Sequence, residues 1–290
     1  MVAAMDPAIP LLVTGAAGRI GRALRVLWAE GDGIGHPLLW HRREPGQTFD
    51  IAWNIGKKLA PPLPPGLIVI HLTRPTLGTG DELAENRLVT EALCRAALEY
   101  RARHVFLMSS AAVYRPSADL IAEDVPADPQ SDYGRSKLEA ERTAAAMLSG
   151  TGAPGLTILR LANLAGADAL LGSCIPGRVI TLDPITGQAG GPERSYIGPR
   201  VLAGVLSRLV ALHCSGAPLP NVLNIAQPAV VAMADLLQAR GQPWQFGPPR
   251  DSAIARLCVA TDRLAALMPL PPATPASLIA DLDSVQGRWP

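Results

Sequence analysis

No apolar stretch in this sequence approaches the ~20 residues that a membrane-spanning helix needs. The longest runs, Leu67–Ile70 and Val105–Met108, are strand-sized. Cysteine is scarce: Cys94, Cys174, Cys214 and Cys258 stand about 40 or more residues apart, with no CxxC and no histidine in ligand spacing. That pattern excludes a disulfide framework and a structural zinc site, predicts no metal, and fits a cytoplasmic, reducing compartment. Charge of one sign is also lacking. Lys plus Arg number 26 against 25 Asp plus Glu, a net charge of +1 that leaves no footprint for nucleic acid or anionic lipid. Asp6 and Pro7 stand where a secretory leader would carry a basic segment and an apolar stretch, so no leader is expected. There is no internal repeat. What remains is an ordinary globular composition: 290 residues, 48% hydrophobic and 18% charged. A chain of that length buries roughly 75% of its unfolded surface and needs no staples.

Short apolar runs alternate with segments of helical period. Ile9–Thr14 reads as a strand, followed by a glycine turn and a helix over Ile20–Glu30. Further strands are predicted at Leu38–His41, Gln47–Ile51, Leu67–Leu72, Val105–Ser109 and Leu156–Leu161, with helices over Asp81–Tyr100 and Ser131–Leu148. The stiff Pro61–Pro65 stretch leads into the fourth strand. Such alternation predicts an α/β fold, a Rossmann-type doubly wound parallel sheet with helices on both faces. After Gly166 the pattern breaks into Gly- and Pro-rich sequence, with a strand at Arg178–Leu182. A helix over Val201–His213 and a strand at Val222–Ile225 then return to the sheet. A helix around Val231–Ala239, a loop over Gly241–Arg250 and one helical stretch from Thr261 complete the chain. The expected division is a cofactor domain of residues 1–165 with 197–226, and a small discontinuous substrate domain of 166–196 with 227–290.

Thr14 runs into Gly15-Ala16-Ala17-Gly18-Arg19-Ile20-Gly21, at the first strand–turn–helix. In such a turn the first glycine allows the bend, the second lets backbone N–H groups approach a pyrophosphate, and the third lets the helix pack on the strand. The phosphates then lie at the positive end of the helix. A dinucleotide is therefore expected. The second strand ends in Arg42-Arg43, where an NAD site carries an acid for the ribose 2′-hydroxyl. Guanidinium groups favour a 2′-phosphate instead, so NADP is the expected cofactor, with NAD the second candidate.

Tyr133-Gly134-Arg135-Ser136-Lys137 lies early in a predicted helix. Tyr133 and Lys137, four residues apart, share one face, and an adjacent cation should favour the phenolate. That is what an acid/base exchanging a proton with a substrate hydroxyl or carbonyl requires. Ser110 closes the fifth strand, at the edge where open parallel sheets bind ligands, and can bond the same oxygen.

Taken together, TGxxGxxG, the Ser109-Ser110-x-x-Val113-Tyr114 run and the Tyr133-to-Lys137 motif resemble the extended short-chain dehydrogenase/reductases, a family of nucleotide-sugar epimerases, dehydratases and reductases. Asp50-Ile51, Val69–Leu72, Asn86 with Thr90, Leu159–Asn163, Arg194–Ile197 and Val222–Asn224 are similar to its smaller motifs. The resemblance implies that Tyr133 is the acid/base, Lys137 binds the nicotinamide ribose and lowers the tyrosine pKa, and Ser110 orients the substrate. It implies cofactor contacts from Gly15, Gly18, Arg19, Ile20, Gly21, Arg42, Arg43, Asp50, Ile51, Leu72, Thr73 and Asn86. It also implies a diphosphate grip by Asn163, Arg194 and Arg250, and a homodimer built on the two helices Asp81–Tyr100 and Ser131–Leu148.

The sequence departs from that family in two places. Ala111-Ala112 stand where its 4,6-dehydratases carry Asp-Glu, which disfavours dehydration. Arg194-Ser195-Tyr196-Ile197-Gly198-Pro199 lacks the acid and histidine of the R-D-[FY]-I-H-V pattern, and the segment from Asn163 to Arg194 is short. The expectation is an oxidoreductase or epimerase acting on a sugar hydroxyl or carbonyl, with a nucleotide sugar as substrate. The alternatives are a reductase of a small non-nucleotide carbonyl, or a sensor that binds NADP without turnover.

Overall fold

The computed structural model describes residues 9–30, 33–43, 51–72 and 80–286. Seven strands form the central sheet: β1 (Leu11–Thr14), β2 (Leu38–Arg42), β3 (Ile51–Ala52), β4 (Ile68–His71), β5 (His104–Ser110), β6 (Gly155–Leu161) and β7 (Val222–Ile225). They lie in the order β3-β2-β1-β4-β5-β6-β7, and every neighbouring pair is parallel. The order reverses between β1 and β4. At such a switch point the connections leave in opposite directions and open a crevice at the carboxyl ends of the strands.

Side-chain alternation explains the two covering layers. Leu11 and Val13 of β1 face one core, where α1 (Arg19–Ala29) and α4 (Pro199–Cys214) pack. Leu12 points the other way, into the core shared with α2 (Gly80–Glu99) and α3 (Asp132–Met147). Because both faces are covered, β4 and nearly all of β5 are buried throughout, as continuous apolar runs predict. The fold is the doubly wound Rossmann type expected from the sequence.

Beyond β6 the chain forms short strands. Asn163–Leu164 pairs with Tyr196–Ile197; Glu193–Arg194 lies between Val231–Ala232 and Arg256–Leu257; Ile180–Leu182 runs parallel to Trp244–Phe246. Helices α5 (Met233–Arg240), α6 (Asp262–Leu267) and α7 (Pro275–Gln286) complete the chain. A separate apolar core, including Leu171, Leu182, Tyr196, Leu237 and Leu278, lies among these elements.

Two expectations fail here. The predicted loop over Gly241–Arg250 contains the strand Trp244–Phe246, too short for its alternation to register and set between Pro243 and Gly247. The single helical stretch from Thr261 is two helices, because Pro269, Pro271 and Pro272 lack the N–H that an unbroken helix requires. α7 restarts at Pro275, a position where a missing N–H costs nothing. Thr274 caps it, accepting from the Ser277 N–H at 3.1 Å. The third predicted strand, Gln47–Ile51, lies outside the described residues except for Ile51, which opens β3.

Candidate active site

The glycine turn follows β1 at the switch point. Gly15 has φ +73°, and a Cβ there would sit 2.3 Å from the Leu72 carbonyl oxygen at the end of β4. A Cβ on Gly21 would come within 2.4 Å of the Ala16 Cα, so only glycine lets α1 pack onto the turn. Gly18 is the N-cap of α1 and provides no side-chain cap, leaving the first N–H groups open to an anion. This bare, closely approached turn fits a pyrophosphate. Ile20 packs against the core beneath it, and Arg19 donates NH1 to the Ala167 carbonyl at 3.1 Å, tying the turn to the chain after β6.

Beside the turn is a cavity of about 120 Å³, lined by Gly15, His41, Arg43, Leu72, Lys57 and Leu88 among others. Arg43 faces this cavity; Arg42 instead continues β2 in register with Ala52. Ile51 pairs with His41 at the same edge. The Gly15 N–H donates to His41 Nδ1 at 3.3 Å, so Nε2 carries the proton and donates to the Trp53 carbonyl at 2.6 Å. Burial keeps this imidazole neutral, pulling its pKa down. Asp50 and Thr73 lie outside the described residues. The Asn86 amide donates to Ser136 Oγ at 2.7 Å, fastening α2 to α3 between Tyr133 and Lys137.

α3 carries the tyrosine and lysine across β5. Ser131 caps it, accepting from the Gly134 N–H at 3.1 Å. Gly134 is required by contact, since a Cβ would stand 2.1 Å from the Ala112 carbonyl oxygen. That closeness brings Tyr133 to Ser110, whose hydroxyl is hydrogen-bonded to the phenol and also accepts from the Ala112 N–H at 3.1 Å. The Lys137 Nζ lies 5.5 Å from the centre of the Tyr133 ring. Ser110, Tyr133 and Lys137 therefore converge, as their spacing predicted.

Their electrostatics differ from expectation. Burial raises the Tyr133 pKa, opposed only by the Ser110 bond, whereas the adjacent lysine was expected to lower it. Lys137 is itself buried, and desolvation brings its ammonium down to about 7 against the pull of Glu141. A cation that gives up its own proton near neutrality is a weak stabiliser of a phenolate. His71, at the end of β4, is fully enclosed, with Nδ1 2.5 Å from Thr14 Oγ1. Burial, then the charges of Lys137 and His41, hold it down at about 3.

Behind this group is a buried polar network that sequence reading missed. Glu141, one turn beyond Lys137, receives Arg160 at both oxygens, at 3.1 and 2.8 Å, and the hydroxyl of Ser109. Arg160 NH1 donates to the Tyr114 hydroxyl, which donates to Asn224 Oδ1, both at 2.9 Å. β5, β6, β7 and α3 are thereby locked in register directly beneath Ser110. Only the helical spacing of Glu141 from Lys137 could have signalled this, because Arg160 is remote in sequence.

The substrate-side residues lie on the short strands. Asn163 is hydrogen-bonded to Tyr196, whose hydroxyl also contacts Asp168 at 3.4 Å. Arg194 donates to the carbonyls of Glu193 at 2.7 Å and Ile254 at 3.0 Å. Arg250 is paired with Asp183.

Residues 68–182 match the NAD dependent epimerase/dehydratase family. The match holds Ser110, Tyr133 and Lys137, and the resemblance read from the motifs stands. No curated protein matches the sequence. Among solved structures, MoeE5 in complex with UDP-glucuronic acid and NAD is 20% identical, with 96% of this chain and 99% of that one covered at a TM-score of 0.73. TunA, an NAD dependent NDP-hexosamine 5,6-dehydratase involved in tunicamycin biosynthesis, is 19% identical over 96% and 98%, with a TM-score of 0.75. A UDP-glucose-4-epimerase from Stenotrophomonas maltophila, with bound NAD and formylated UDP-arabinopyranose, is 19% identical over 96% and 98%, with a TM-score of 0.73. At these identities the likeness is one of fold. Among the described residues no helix is long and apolar enough to cross a membrane.

Proposed function

We propose that this chain is an NAD(P)-dependent oxidoreductase or epimerase of the extended short-chain type, acting on a sugar hydroxyl or carbonyl of a nucleotide sugar. The observation that carries the reading is the convergence of Ser110, Tyr133 and Lys137 at the carboxyl edge of the sheet that also presents the glycine turn. The backbone of Gly15 to Gly21 would hold the pyrophosphate, and Arg43 the adenosine ribose, in its phosphorylated form by preference. When bound, the nicotinamide supplies hydride exchange with the substrate carbon.

The chain's own residues move the proton. A phenol whose pKa is raised is protonated at neutral pH, so Tyr133 is set to donate to a carbonyl oxygen as general acid. Ser110 fixes that oxygen against the phenol. Lys137, titrating near 7, can return a proton at the same pH. Ala111 and Ala112 have no proton to exchange, which leaves oxidation–reduction or epimerisation over dehydration.

The cytoplasm is the proposed compartment, and residues 166–196 with 227–290 are read as the substrate-covering unit. The exposed Leu88 and Leu98 of α2 support pairing of two copies through α2 and α3. The NAD-bound, UDP-sugar-bound neighbours support the substrate class and keep NAD as the second candidate cofactor.

Calorimetric titration with NADP⁺ and NAD⁺, followed by UDP and dTDP on the saturated protein, tests the reading. Binding of a dinucleotide and then a nucleoside diphosphate is expected. Tyr133→Phe should keep the first and abolish turnover; full turnover in that variant overturns the mechanism. A second reading, a small-carbonyl reductase, draws on the pairing of Arg250 with Asp183 in place of open arginines. It predicts dinucleotide binding with no response to either diphosphate.

A further inference from the structure

The parallel strands Ile180–Leu182 and Trp244–Phe246 end side by side, and the Gly247 N–H donates to the Leu182 carbonyl at 2.9 Å. Their carboxyl ends therefore deliver Asp183 and the segment leading to Arg250 to the same edge. There Arg250 grips Asp183 at two points, Nε to Oδ1 at 2.6 Å and NH2 to Oδ2 at 2.9 Å. A guanidinium fork accepts two carboxylate oxygens in the same geometry as two phosphate oxygens. Arg194 belongs to this cluster: it donates to the carbonyl of Ile254, shortly after Arg250, and its charge acts on the Asp183 carboxyl. Arg250 and then Arg194 together keep the Asp183 carboxyl below its usual range.

We propose that Asp183 is a built-in competitor anion: its carboxylate occupies the Arg250 fork that a nucleoside diphosphate takes over, and it must release before the ligand is held. The inference rests on the diphosphate reading given above. The Arg250 side chain is 64% exposed, so the pair is a weak one and exchange is easy. A diphosphate carries more charge than one carboxylate and displaces it. An uncharged or singly charged ligand does not, so Asp183 selects for polyanions by resisting weaker ones.

The test is calorimetric titration of UDP into protein saturated with the dinucleotide it binds, using wild type, Asp183→Asn, Asp183→Ala, Arg250→Ala and Arg194→Ala. Circular dichroism verifies folding of each variant. Both Asp183 variants should bind UDP about three- to tenfold more tightly than wild type, with a gain that shrinks as salt is raised. Arg250→Ala should bind it more weakly. Unchanged or weaker UDP binding in both Asp183 variants, with Arg250→Ala still impaired, overturns the inference and leaves the diphosphate reading standing. UDP binding indifferent to both arginine variants, or no UDP binding by any form, overturns that reading and the inference with it.

Discussion

Replacing Lys137 by methionine should stabilise the protein while destroying its chemistry, and the gain should depend on pH. Lys137 is 3% exposed, and burial brings its ammonium from 10.5 to about 7. A displacement of that size is worth roughly 5 kcal/mol, which sets the ceiling of the effect. In the unfolded chain the lysine keeps its proton to about pH 10.4, whereas the folded protein releases it near 7. Between those values the unfolded state binds more protons, so wild-type stability rises with pH across the window. Below pH 7 the lysine is charged in both states and the full penalty applies. Methionine retains most of the apolar stem without the charge. Lys137→Met should therefore exceed wild type by about 2–5 kcal/mol at pH 6, and the gap should close toward pH 10. Urea unfolding of both proteins without cofactor, at several pH values from 6 to 9, measures it. A gap that stays constant with pH, or a variant less stable at pH 6, refutes the argument that the ammonium is held at the expense of its solvation.

Other perturbations follow from the same geometry. Glu141→Gln leaves the Arg160 guanidinium buried without its counter-charge, a change that should cost about 3–5 kcal/mol and appear as a lower melting temperature. The double change with Arg160→Met should recover much of that loss; no recovery would show that the pair does not act as a unit. Gly134→Ala drives a methyl into the Ala112 carbonyl, and should cost roughly 1–3 kcal/mol and impair turnover more than cofactor binding, as a comparison of the two will show. His71 and His104 are both held near 3, so the unfolded chain takes up their protons first on acidification. Their contribution is complete above about pH 6.5 and lost progressively toward 3, and urea midpoints that stay flat from pH 7 to 4 would contradict this. Arg43→Ala should weaken NADP⁺ by about tenfold or more with little effect on NAD⁺; equal losses for both would assign Arg43 to a shared part of the dinucleotide.

The central sheet was readable because its strands are continuous apolar runs and its helices end at visible stops such as Gly150 and Gly152. Ile180–Leu182 lay within the strand expected at Arg178–Leu182, but its partner Trp244–Phe246 did not show, since three residues between Pro243 and Gly247 cannot display a period. Ser110, Tyr133 and Lys137 came together as spacing and strand-end position required. Their protonation did not follow, because spacing reports a neighbour's charge and is blind to the desolvation that here outweighs it. The Asn86–Ser136 bond was likewise hidden, because its partner lies 50 residues away in the chain. Glu141 with Arg160, and Arg250 with Asp183, are long-range pairs: the arginines stood in motifs the sequence displays, but their carboxylate partners did not show in a one-dimensional reading.

The position of α7 bears on the order in which the protein can be made. Asp281 accepts the N–H groups of Arg200 and Val201 at the start of α4, Leu278 and Leu282 fill the smaller core, and Val285 reaches the larger one. These contacts join residues some 80 positions apart to the last helix described, so the smaller core stays open while α7 is still inside the ribosome. During synthesis the glycine turn and β1–β6 emerge long before α7. A nascent chain would thus carry the sheet with a bare apolar flank, and shelter for that flank arrives only with the turns of α7.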